Sequence, residues 1–268
     1  MVDKPYQLMG VVNVTPDSFS DGGEFLNVDK AIEHALRLVD EGVDILDIGG
    51  ESTRPGAELI SPSEEQDRIL PVVERLVSEG VKTPISIDTR NSETMTAAVN
   101  IGAKIINDIS ALRHDPKSLF TALKLDTPVV LMHMQGTPKT MQKNPSYDDV
   151  IEEVKAFFRE RIAICEATGI TKDKITLDVG IGFGKSLEDN LLLLGNLWQF
   201  HDLSCDLLLG TSRKSFIEKI CPNTPANQRL GGSIASAIKG LEQSVQTFRV
   251  HDVAETKQAF DVWLAING

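Results

Sequence analysis

The chain has 268 residues, a hydrophobic share of 41% and a formal charge of −12 from 27 basic and 39 acidic side chains. That apolar content suffices for a large core, and α/β barrels reach this length as one domain. The acidic balance argues against a nucleic-acid partner or an anionic membrane surface, which need a basic footprint, while a few local cations still suffice for a small anionic substrate.

Short apolar runs rich in β-branched residues alternate with amphipathic ones from end to end. Strands are predicted over Leu8–Val12, Val43–Ile48, Ile85–Asp88, Lys104–Asn107, Val129–Met132, Ile175–Asp178, Asp206–Leu209 and Val245–Arg249. Their continuous apolar character suits strands buried on both faces. Between the first two, Ile32, Leu36 and Val39 share one helical face, with Glu33, Arg37 and Asp40 on the other. Ile69, Val73 and Leu76 repeat the spacing, and the run from Asp148 to Thr168 ends at Gly169, a C-cap signal. Eight strands each followed by a helix predict an α/β fold, a (β/α)8 barrel of the TIM type, with residues 1–268 as a single domain. An open doubly wound sheet usually has fewer units and often opens with G-x-G-x-x-G, which is absent.

The longest insertions follow strands one, two and five: Asn13–Asn27, Gly49–Pro62 and His133–Ser146. In a barrel all three lie on the C-terminal face, where such folds do chemistry. Cys165, Cys205 and Cys221 form no C-x-x-C pair, which argues against a disulfide framework or zinc knuckle and for a reducing cytoplasm. No apolar run approaches a membrane span, and Met1–Gln7 lacks a signal-peptide core.

The strand ends, in order, present Asn13, then Glu51, Thr53 and Arg54, then Asp88, Asn107 with Asp108, His133, Asp178, Lys214, and Arg249 with His251. Any one of these reads most simply as a cap. A ring of them at one face of a barrel reads as a site. Asp88, Asn107 and Asp178 offer a hydrogen-bonding surface, and a carboxylate there accepts two parallel N–H donors such as a guanidinium or a 2-amino-4-oxo pyrimidine edge presents. Arg54, Arg249 and His251 form a cationic set suited to phosphate oxygens, and Lys214 in T-S-R-K-S serves either half. The run Gly180–Ser186 looks like a phosphate loop but has Val179 where the first glycine belongs. Its glycines allow close backbone approach, with Phe183 pointing into the mouth. His34 and His201 read as surface or helix residues, and Trp198 and Trp263 as packing.

Taken together, these motifs resemble the dihydropteroate synthase family. M-G-V-V-N-V-T-P-D-S-F-S-D-G-G (Met9 to Gly23) is similar to its first signature and D-I-G-G-E-S-T-R-P-G (Asp47 to Gly56) to its second. S-I-D-T, I-N-D-I-S, L-M-H-M-Q-G, G-I-G-F-G-K, S-R-K-S-F and R-V-H-D-V follow in family order along essentially the whole chain. The resemblance implies a transferase of folate biosynthesis. It would condense 6-hydroxymethyl-7,8-dihydropterin pyrophosphate with p-aminobenzoate to 7,8-dihydropteroate and pyrophosphate. It further implies that Asp88, Asn107, Asp178 and Lys214 hold the pterin, and that Arg54, Arg249 and His251 meet the pyrophosphate. Asn13 would help bind Mg²⁺. Thr53, Phe183, Ser212 and Lys214 would shape the p-aminobenzoate site, with Phe19 and Pro55 closing over it. Asp88, Lys214, Arg249 and His251 would be the catalytic set. Family members are typically homodimers and bind sulfonamides. The family usually has proline where this chain has Val179.

Two other readings start from the same residues. A methyltetrahydrofolate–corrinoid methyltransferase shares the pterin-facing carboxylates but has no need of N-V-T-P-D-S-F-S or S-T-R-P-G. A catalytically silent pterin-binding paralogue would be expected to lose cations, whereas Arg54, Lys214, Arg249 and His251 are all present.

Overall fold

The computed structural model describes residues 5–15, 24–52 and 59–267, without the side chains of 24–27. Eight parallel strands close into a barrel in chain order: β1 (Gln7–Asn13), β2 (Ile45–Gly49), β3 (Ile85–Asp88), β4 (Ile105–Asp108), β5 (Val129–Met132), β6 (Ile175–Asp178), β7 (Asp206–Leu209) and β8 (Thr247–Val250). Around them run α1 (Glu24–Asp40), α2 (Pro62–Ser78), α3 (Ser92–Ile101), α4 (Ser118–Leu125), α5 (Val150–Thr168), α6 (Leu187–Gly195), α7 (Ser215–Ile220), α8 (Leu230–Glu242) and α9 (Val253–Asn267). Two helices, α7 and α8, lie between β7 and β8. Among the described residues, no helix is long and apolar enough to cross a membrane.

The helices start and stop where local chemistry dictates. Ser61 caps α2 by accepting from Glu64 N, and Pro62 opens its first turn, where no N–H is needed. Asp149 accepts from Ile151 N and Glu152 N at the start of α5, and Gly169 ends that helix in the left-handed region. Ser186 and Asp189 form a reciprocal capping box on α6. The predicted apolar faces are buried: Ile69, Val73 and Leu76 in α2, and Ile32 in α1, where Leu36 and Val39 flank Ala35 and Leu38.

The structure adjusts the predicted bounds. β8 starts two residues late because Val245 N closes a turn on Gly240 O behind the left-handed Ser244. Val43 likewise belongs to the turn after α1, with its N–H on Leu38 O. The insertion after β1 ends at Glu24 rather than Asn27 because α1 begins there. Trp198 is 59% exposed and does not pack, whereas Trp263 lies against the core.

The registers set the interior. Residues at one height come from alternate strands, and following the pairings around the circuit stacks them in layers. The lowest layer is Ile45, Ile105, Thr176 and Thr247, and above it lie Met9, Ser86, Val130 and Leu208. Met9, Ile45, Val130 and Leu208, with Ile105, form an apolar plug. One step higher the character changes to Asp47, Asn107, Asp178 and Arg249. Val11, Asp88, Met132 and Gly210 come next. Outward residues such as Leu46, Ile48, Ile87, Ile106, Leu177 and Phe248 bury against the helices.

Candidate active site

The charged layer is wired together. Arg249 donates from Nε to Asp47 Oδ2 at 2.6 Å and from Nη2 to Asp88 Oδ2 at 2.9 Å. Asn107 Nδ2 donates to the same Asp47 oxygen at 3.1 Å. Asp47 is 0% exposed and its Oδ1 has no partner among the described residues. Two carboxylates thus share one guanidinium. Burial and the neighbouring Asp47 push Asp88 up, to about 7, against the opposing pull of Arg249. Asp47 was not singled out in the sequence. It stands two residues after the inward Ile45, and a lone acid inside an apolar strand was the available signal.

Across the barrel, Asp178 Oδ1 accepts from Gly180 N at 2.8 Å. Burial raises its pKa, and Lys214 and that backbone bond oppose the rise. Lys214 Nζ donates to Ile181 O at 2.6 Å and sits 4.8 Å from the centroid of the Phe183 ring. Burial pulls Lys214 down, to about 8, although Asp178 favours its charge. Phe183 lies on an apolar cluster of Ile109, Met132, Met134 and Met141. One wall of the mouth is therefore greasy and aromatic while the floor is charged.

Ser212 and His251 close the side over β7 and β8. Ser212 Oγ lies 3.0 Å from His251 Nδ1 and accepts from His251 N at 3.2 Å. The Ser212–Lys214 turn is pinned: Arg213 is left-handed (φ 59), pairs with Asp252, and donates its N–H to Ser233 Oγ. Asn13 ends β1 at the mouth, and its side chain makes no hydrogen bond with the described residues. Val179 is buried in the core, and Asp178 keeps its inward place.

Several expectations change. His251 was grouped with the cations, but burial and the adjacent Arg249 and Arg213 lower its pKa to about 3, so it is a neutral imidazole. For Arg249, expected at the pyrophosphate, Nε and Nη2 are engaged by Asp47 and Asp88, which leaves Nη1 for that role. Three members of the expected ring turn away. Glu51 pairs with Arg90 at 2.8 Å. Asp108 accepts from Ser110 N, Ser110 Oγ and Leu112 N, holding a turn. His133 packs edge-on against Phe157 and bonds Lys185. His34 and His201 serve as expected, each tied to a backbone carbonyl, Val11 O and Gln243 O. Phe19, Thr53, Arg54 and Pro55 lie outside the described residues. Among the described residues, no group of three His, Cys, Asp or Glu side chains is placed to hold a metal ion.

Known proteins are similar to this chain in sequence and fold. Residues 9–251 match the pterin binding enzyme family. The dihydropteroate synthase of Escherichia coli K12 is 48% identical over 255 residues, spanning 95% of this chain and 89% of that protein. That of Haemophilus influenzae is 45% identical over 259 residues, 97% and 93% of the two chains. A Yersinia pestis dihydropteroate synthase solved as a sulfonamide drug complex superposes with a TM-score of 0.92 at 46% identity, covering 98% of this chain and 94% of that one. The Xanthomonas albilineans enzyme in complex with 7,8-dihydropteroate gives 0.89 at 43% identity, covering 100% and 95%.

Proposed function

The chain belongs to the pterin-binding enzymes, and from that premise we infer that it works as their dihydropteroate synthases do. It is a transferase of folate biosynthesis that joins p-aminobenzoate to 6-hydroxymethyl-7,8-dihydropterin pyrophosphate, giving 7,8-dihydropteroate and pyrophosphate. The observation that carries this reading is the polar layer of Asp47, Asn107, Asp178 and Arg249 with Asp88 above it. A barrel interior that could have been filled with aliphatic side chains instead holds acceptors for a flat ring edge with paired donors.

The site residues divide by what their surroundings allow. Asp178 and Asp88 accept from the pterin, Asn107 supplies an amide to its edge, and Lys214 donates from above. Asp88, charged and held by Arg249, stabilises positive charge on the pterin methylene as the C–O bond breaks. The bond electrons leave with pyrophosphate. The amine nitrogen lone pair then forms the new C–N bond, and the nitrogen sheds a proton, so a weakly basic aromatic amine needs no strong general base. The neutral His251 donates one hydrogen bond to the leaving oxygens, Arg249 gives them its remaining Nη1, and Arg54 supplies a full charge. Phe183, Ser212 and Lys214 form the p-aminobenzoate wall, with Thr53, Phe19 and Pro55 over it.

The neutral amide of Asn13, at the tip of β1 and without a hydrogen-bond partner among the described residues, fits Mg²⁺ carried by the pyrophosphate, because that ion typically takes one or two protein oxygens and fills its shell with phosphate and water. Bound there, Mg²⁺ would neutralise charge building on the leaving group.

The same reading extends to a single domain over residues 1–268, to sulfonamides as p-aminobenzoate mimics, to a cytoplasmic setting and to a homodimer. Three unpaired cysteines suit a reducing compartment. Exposed Leu191, Leu192 and Ile220 on the mutually packed α6 and α7, with exposed Trp198 following α6, suit an apolar subunit contact.

The test is pyrophosphate release by the purified protein with Mg²⁺ and the pterin pyrophosphate, with and without p-aminobenzoate. Release that depends on p-aminobenzoate and yields dihydropteroate is expected. Pterin binding without turnover would favour the silent paralogue.

A further inference from the structure

Lys185 is the most deeply buried cation that the chemistry above leaves unused, at 1% exposure. Among the described residues its ammonium forms no ion pair with a carboxylate, and Asp178 acts on it only through space. The ammonium donates to Gly180 O at 3.0 Å and Phe183 O at 3.1 Å, and lies 3.0 Å from His133 Nδ1. An ammonium stripped of water and given only neutral acceptors is costly to bury, and burial lowers its pKa to about 7. Those acceptors belong to two loops. His133 opens the β5–α5 loop, and Gly180 and Phe183 bracket the β6–α6 turn.

The two loops meet backbone to backbone. A Cβ at Gly180 (φ 69) would stand 2.0 Å from His133 O, and one at Gly184 (φ 62) would stand 2.5 Å from Gln135 O. Only glycine permits both the left-handed turn and this approach. At the open flank, Gln142 Nε2 donates to Gly182 O at 2.8 Å and Tyr147 Oη to Gly184 O at 2.6 Å. His133, meanwhile, is wedged against Phe157, ring centroids 4.9 Å apart, so Lys185 grips a fixed imidazole. The turn gripped in this way carries Ile181 O and Phe183, the two groups that touch Lys214.

We propose that Lys185 is a positioning residue for the amine half of the site: it locks the β6–α6 turn to the β5–α5 loop and so fixes where Phe183 and Ile181 O meet Lys214. The proposal rests on the p-aminobenzoate reading given above. Of the pterin groups, Asp47, Asn107, Asp88 and Arg249 hang on strands that Lys185 does not touch, and only Asp178 and Lys214 adjoin the clasped turn, through Gly180 N and Ile181 O. Loss of the clasp therefore acts unevenly on the two substrates.

The experiment is steady-state kinetics of Lys185→Met with each substrate varied in turn, beside Tyr147→Phe/Gln142→Ala on the exposed flank. For Lys185→Met, the p-aminobenzoate KM is expected to rise about ten-fold, with the pterin KM and kcat within about three-fold of wild type. A general loss of packing would move both KM values together or change only the melting temperature, and either result overturns the proposal. Should Lys185→Met fail to fold, the flank variant decides: its p-aminobenzoate KM should rise about three-fold with the pterin KM unchanged, and no rise overturns the proposal. Wild-type turnover in the same assay separates a failure here from a failure of the functional reading.

Discussion

The lower and upper halves of the barrel interior are built on the same eight strands, and their facing layers are one step apart. In the lower half, Met9, Ile45, Val130 and Leu208 interlock as an apolar plug. In the upper half, Asp47, Asn107, Asp178 and Arg249 crowd into the same cross-section, with Asp88 just above. Filling the lower half follows the ordinary rule that burial of apolar area stabilises. The upper half runs against it, since buried charges cost free energy even when paired. A fold keeps such a layer where a ligand uses it. Among the described residues Asp47 Oδ1 has no partner, and burial raises Asp88, so this layer carries more polarity than its own hydrogen bonds satisfy, as perturbed groups at functional sites do.

The sharpest way to break this contrast is Arg249→Met. The substitution leaves Asp47 and Asp88 buried without their guanidinium, and unfolding in urea should show a loss of about 3 kcal/mol or more, along with pterin binding. Adding Asp47→Asn should restore part of that stability but not the binding. Lys214→Ala is next. It removes a charge that reaches both the pterin and the amine, and kcat/KM should fall about 100-fold, with the melting temperature little changed.

A pH profile sharpens the contrast without mutation. Asp88 must be ionised to accept from the pterin, so activity falls as pH drops through its raised value of about 7. Lys214 must be protonated, so activity falls as pH climbs through its lowered value of about 8. Pterin kcat/KM should therefore be bell-shaped with a narrow top between those values, and each limb reports the free enzyme. A flat profile across neutral pH would remove both groups from the reaction. The smallest effect is expected at the opposite end of the barrel. Asp126→Asn removes the charge that pairs with Lys174 while tolerating the left-handed backbone there (φ 53), and should leave the melting midpoint within about a degree and kcat/KM unchanged.

Much of this was legible in the residues. Strands buried on both faces announce themselves as short β-branched runs, and β3, β5, β6 and β7 fall on the predicted bounds. Asp88, Asn107 and Asp178 were found because each ends such a run and points inward. What was not legible is parity at the strand ends. Where both faces of a strand are apolar, no alternation says which polar residue turns to the axis. Asn107 faces in while its neighbour Asp108 holds a turn, and Glu51 turns to Arg90 instead of the mouth. The charge state of His251 depends on burial, which its motif does not encode. Lys185 was hidden by the resemblance of its loop to a phosphate cradle. Its ammonium serves neutral acceptors on His133, Gly180 and Phe183 inside the protein.

The central claim is that the upper layers read the pterin and the lower ones only support them. Calorimetric titration of the dihydropterin pyrophosphate into Asp178→Ala and Leu208→Ala tests it most directly. The account predicts an affinity at least about 100-fold weaker for Asp178→Ala, which leaves the ligand's buried donors unpaired. It predicts wild-type affinity for Leu208→Ala, which loses about 3 kcal/mol of stability to a cavity. Equal affinities in the two variants would contradict it.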